Sequence, residues 1–117
     1  MDDWRKRVDD ALQMADAAKA RGNEGMARVC ARRAAGWTVQ AYLNEQGIDL
    51  QTTSVIKHID YLLRVDRVDP EVKLYLEHML VAKQKDDLES DSYFPLDVDL
   101  IAEAKLLISK LFPQSNR

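Results

Sequence analysis

Two histidines and a cluster of arginines are the residues in this chain whose types and spacing could do chemistry. The histidines are His58 and His78; the arginines are Arg21, Arg28, Arg32 and Arg33. An imidazole can take and give a proton near neutral pH. A guanidinium can hold a phosphate through two parallel N–H donors. Arg28 and Arg32 stand one helical turn apart and Arg21 lies just before the same helix, so with Arg33 they form a candidate anion or nucleotide site. The competing explanation is a solvated face paired with acids elsewhere. His58 precedes the apolar Ile59, where a bond near a helix start competes with a proton-transfer role. His78 lies beside Met79 on a charged helix, where a surface or internally bonded ring competes in the same way. Both are kept as acid–base candidates, and no catalytic residue is assigned. Two isolated histidines and one cysteine make no zinc ligand set. The acids between residues 86 and 99 lack the glycine and ligand pattern of a calcium loop. No metal or cofactor is expected.

The element that must position these groups is one long helix spanning Asn23 to Gln46, bounded by Gly22 and Gly47. Asn23 is a good N-cap, and Glu24 places negative charge at the positive end of the helix dipole. Met26, Cys30, Ala34, Trp37 and Ala41 form one stripe at helical spacing. Ala27, Ala31, Ala35 and Thr38 form a second, and Val39, Tyr42 and Leu43 widen the apolar arc. So broad an arc implies at least two packing partners. Arg28, Arg32 and Gln40 are left for the wet face, with Arg33 at its edge. Gly36 costs such a helix roughly 1 kcal/mol relative to alanine. Close approach of a neighbouring helix would offset that, and room for a ligand at the backbone is the alternative.

Before this helix, Trp4, Val8, Ala11, Ala15 and Ala18, with Leu12, mark a helix from about Asp3 to Ala20. The link of two or three residues makes the two antiparallel neighbours. After Gly47 a short polar loop leads to Ser54, which caps a third helix carrying Val55, Ile56, Ile59, Leu62 and Leu63 and ending near Val65. Asp69-Pro70-Glu71 is a strong start signal for a fourth helix, with Val72, Tyr75, Leu76, Met79 and Leu80 on one face, running to about Lys85 or further. Residues 86–99 read as a solvated acidic connection in which Tyr93 and Phe94 pin the loop to the bundle. A fifth helix runs from about Val98 to Phe112, with Leu100, Ile101, Ala104, Leu107, Ile108 and Leu111 as its apolar face.

A chain of 117 residues suits a single domain, and 46% hydrophobic with 32% charged residues is ordinary for a soluble protein. One cysteine excludes an internal disulfide, and on its apolar stripe Cys30 reads as a small buried hydrophobe. No run of about 18 apolar residues occurs, and the acidic start is not a signal peptide, so a cytoplasmic protein without a membrane span is expected. The net charge of −3 argues against a general nucleic-acid binder. It is uneven. Residues 1–46 carry eight Lys/Arg against seven Asp/Glu, and residues 47–117 carry nine against thirteen. An anion-binding surface therefore belongs to the first half. Trp4, Trp37, Tyr42, Tyr61 and Tyr75 sit on or beside apolar stripes, as core or dimer contacts rather than a base-stacking platform.

Three stretches together resemble the HEPN domains, which are small all-helical prokaryotic bundles. They are ARVCARRAAGWTVQAYLNEQG, then KHIDYLL led by His58, then a final helix after SYFPLD with its Phe94-Pro95 pair. The likeness covers nearly the whole chain. It implies an all-α, up-and-down bundle of four long helices with a short third helix across one end. It also implies a homodimer, and a partner such as a minimal nucleotidyltransferase, with a nucleotide or nucleic acid as the other ligand class. The family's ribonuclease members carry an arginine followed by four to six residues and then a histidine, the arginine to stabilise phosphate charge and the histidine to move protons. This chain departs from that pattern. No arginine stands at that distance before His58 or His78; Arg64 follows His58, and only Lys73 precedes His78. The expectation is thus a non-catalytic HEPN-like binding module. The alternatives are a metal-independent ribonuclease or toxin, and a purely structural dimeric subunit.

Overall fold

The computed structural model describes residues 3–65, 67–88 and 98–113, and the side chains of all of these except 82–88. The described residues form five helices: α1 (Trp4–Ala20), α2 (Glu24–Glu45), α3 (Val55–Leu63), α4 (Pro70–Leu88) and α5 (Leu100–Leu111). The chain is all-α, as its periodicities require. The residues expected at the helix limits are mostly caps. Asp3, Asn23, Ser54 and Asp99 each accept a bond from an N–H in the first turn that follows. Asp69 does the same for α4, accepting from Glu71 N at 2.8 Å. Helix α4 continues past Lys85 to Leu88. The expected pinning of the loop by Tyr93 and Phe94 lies outside the described residues.

Helix α2 is the axis of the bundle and packs against all four others. Its ends explain how. Helices α1 and α2 both stop at a glycine with φ of +80°, Gly22 and Gly47, a region only glycine enters without strain. In each, the residue after the glycine bonds back into the last turn: Asn23 N to Ala18 O at 2.8 Å, and Ile48 N to Leu43 O at 2.9 Å. The first of these turns reverses the chain, so α1 runs back along α2. Alanine meets alanine there. Ala11, Ala15 and Ala18 of α1 and Ala27, Ala31, Ala34 and Ala35 of α2 are all buried. Thr38, fully buried among them, donates its hydroxyl to Ala34 O at 2.8 Å.

Gly36 marks the entry of α3. A Cβ at this position would lie 2.7 Å from Val55 Cβ and closer still to Val55 Cγ1. The close approach that offsets a mid-helix glycine is therefore made by the first residue of α3. Ile59 and Leu62 of α3, Val72, Leu76 and Met79 of α4, and Leu107 of α5 complete the core.

Two expectations about α2 are corrected. Arg32, assigned to the wet face, is buried, and Arg28 is half-buried. With helices on several sides, α2 has a narrower solvent arc than its own periodicity implies. Conversely, Met26, placed first on the buried stripe, is 41% exposed because it lies in the first turn.

Candidate functional site

The histidines lie on different helices, and each has an internal partner. His58, buried on α3, donates from Nδ1 to the Ser54 carbonyl at 2.7 Å, one turn earlier. Arg64, the cation that follows it in sequence, pairs with Asp60 at 3.0 Å instead. His78 on α4 faces Glu103 on α5, its Nδ1 lying 2.8 and 3.0 Å from the two carboxylate oxygens. Both side chains are largely withdrawn from water, at 22% and 15% exposure. Burial raises the Glu103 carboxyl above its ordinary range, and the bond from His78 pulls the other way. Along the same helix pair, Tyr75 donates to Glu71 at 3.3 Å, and Lys110 of α5 reaches Glu71 at 2.9 Å and Asp69 at 3.6 Å. Burial, then the neighbouring Glu71, raises the Tyr75 phenol. A carboxylate on Nδ1 fixes the orientation of an imidazole and leaves Nε2 as its working nitrogen. Among the described residues, the His78–Glu103 pair has this arrangement. Among the described residues, no group of three or more His, Cys, Asp or Glu side chains could hold a metal.

The four arginines occupy four different settings. Arg21 is the exposed C-cap of α1. Arg28 borders a small cleft of about 70 Å³ between the starts of α2 and α5, beside Lys19, Glu24 and Asp99. There Lys19 already pairs with Asp99 at 3.7 Å. Arg32 is buried, and Arg33 is exposed on the α1 side of α2. The fold distributes these charges over several surfaces rather than around one ligand.

What the fold does assemble is a seam between α1 and α2. Arg33, Trp37, Gln40 and Asn44 recur at spacings of four, three and four on α2; Trp4, Arg7, Ala11 and Met14 recur at three, four and three on α1. The antiparallel turn at Gly22 brings the two rows together. They border two adjoining cavities. One, of about 180 Å³, has Ala11, Met14 and Cys30 in its lining and Arg33 at its edge. The other, of about 380 Å³, is floored by Ala41 and edged by Trp4, Gln40, Asn44 and Glu45. Arg7 and Trp37 line both, the Arg7 guanidinium lying 5.3 Å from the indole centre. Trp4 packs on Phe112 at 4.7 Å, and Phe112 meets Tyr42 edge-on at 6.2 Å. Arg5 lies over Trp4 at 4.7 Å. Sequence reasoning counted Trp4 and Trp37 as core or dimer contacts and did not join the rows. Their matching periods were the available signal.

Among the described residues no helix is long and apolar enough to cross a membrane. In comparisons with known proteins, no family model, no curated protein and no solved structure matches the chain.

Proposed function

We propose that this chain is a non-catalytic helical interaction module of the HEPN kind, acting as a homodimer that binds a partner protein. A minimal nucleotidyltransferase is the partner its resemblance suggests. The observation that carries this reading is the setting of His58: it is buried and tied to the Ser54 carbonyl, with His78 away on a separate helix. A ribonuclease site of the family type needs an arginine beside its histidine, and Arg64 is paired with Asp60. The seam between α1 and α2, with its indoles and open cavities, offers a surface for binding instead. The test incubates the purified chain with single-stranded RNA and measures its solution mass. The expected result is a dimer whose RNA products match those of the His58→Ala/His78→Ala double variant.

A ribonuclease or toxin is the second reading, favoured by the single fact that Glu103 orients His78. On that reading RNA cleavage, or growth arrest on expression, disappears with His78→Ala and weakens with Glu103→Gln. Such a pattern would replace the binding-module proposal.

A further inference from the structure

The seam between α1 and α2 has a property beyond its apolar floor: its charges are complementary to their own reversal. Arg33 borders one cavity of the seam and Glu45 the other, twelve positions apart, about 18 Å along a helix. Both are exposed, and neither is ion-paired with any described residue. Between them Gln40 and Asn44 carry carboxamides, which donate and accept and so can pair with their own kind. Met14, 54% exposed, and the half-buried Trp37 supply apolar area along the same strip. A two-fold interface uses one patch twice, so the patch must fit itself.

We propose that two copies of the chain meet along this seam, turned end for end, with Arg33 of each copy against Glu45 of the other. The proposal rests on the homodimer reading above and adds its face and register. The dyad then passes by Val39, midway between positions 33 and 45. The same register sets position 37 opposite position 41. Each Trp37 lies over the Ala41-floored cavity of the second copy, which is about 380 Å³ and open to receive a ring. Aromatic anchors in pockets near the centre, with charges toward the rim, are the usual anatomy of a stable interface.

The experiment uses the full chain and reads its dissociation constant by sedimentation equilibrium, with circular dichroism to verify that each variant is folded. Arg33→Glu places carboxylate against carboxylate at both ends, and Glu45→Arg places guanidinium against guanidinium. Each is expected to weaken the dimer by at least about tenfold. The double variant Arg33→Glu/Glu45→Arg restores opposite charges in this register and is expected to recover most of that loss. Trp37→Ala is expected to weaken the dimer without rescue by either charge change. A wild-type chain that is monomeric at every concentration overturns both the homodimer reading and this face. A dimer indifferent to both single charge variants overturns the face alone. Single variants that weaken the dimer with no recovery in the double overturn the end-for-end register.

Discussion

At position 36 the absence of a side chain matters because Val55 fills the space a Cβ would need. Alanine there would gain helix propensity of roughly 1 kcal/mol but would force two packed helices apart. Overpacking of this kind typically costs about 1–3 kcal/mol, and the collision is with the Cβ of Val55, which cannot swing aside. Gly36→Ala is therefore expected to lower the urea midpoint, and Val55→Ala added to it is expected to recover part of the loss. A Gly36→Ala chain with unchanged stability would mean that α3 docks elsewhere. Glu103 gives a second prediction at this scale. Burial raises its folded carboxyl pKa above the value of 4.5 for a free side chain, so the folded state binds the proton more tightly than the unfolded state. As pH falls through the raised value, Glu103 becomes less unfavourable to folding, and the gain is complete below 4.5. The stability of Glu103→Gln relative to wild type is expected to be highest at neutral pH and to shrink toward pH 4.5. Equal differences at both ends of that window would remove burial as the cause.

Helices α2 and α3 differ in how much of their stability is local. The nine residues of α3 form too few internal bonds to hold a helix alone, so it depends on Ser54 at its start and on Ile59 and Leu62 in the core. Ser54→Ala removes the bond that Lys57 N makes to the hydroxyl at 3.2 Å and is expected to cost about 1 kcal/mol. Faster amide hydrogen exchange confined to α3 would report it. Cap chemistry is also why so much of the architecture is legible in the sequence. Asn23, Ser54 and Asp69 announce their helices through bonds spanning two or three residues, and Gly22 and Gly47 announce the ends through backbone sign; Asp99, the cap of α5, reads in sequence as part of the acidic connection. Burial of Arg32 was not legible, because the period of one helix does not tell how many neighbours cover it. The seam was illegible for a related reason. Its rows sit on separate helices, and only the antiparallel pairing sets Trp4 beside Asn44 and Met14 beside Cys30. The polar link from His78 to Glu103 spans 25 positions and has no local trace.

Across the whole molecule, one continuous core joins the helices, with side chains from α1 to α5 in a single cluster. A domain built this way is expected to unfold in one step. Leu76, fully buried on α4, is a test of that unity. Leu76→Ala should cost about 2–5 kcal/mol and should shift the unfolding of helix content and of the α1–α2 alanine interface to the same lower denaturant concentration. Separate transitions would show α1–α2 to be an independent unit. The four arginines of the candidate anion site belong to this scale too, since among the described residues they stand in separate settings and do not form one basic field.

The chain has two tryptophans, and both border the larger cavity of the α1–α2 seam. Tryptophan emission, excited apart from the four tyrosines, is accordingly a gauge of one place. A molecule that settles between these helices is expected to alter the colour or brightness of that light. The protein thus carries its own optical label where an encounter would occur.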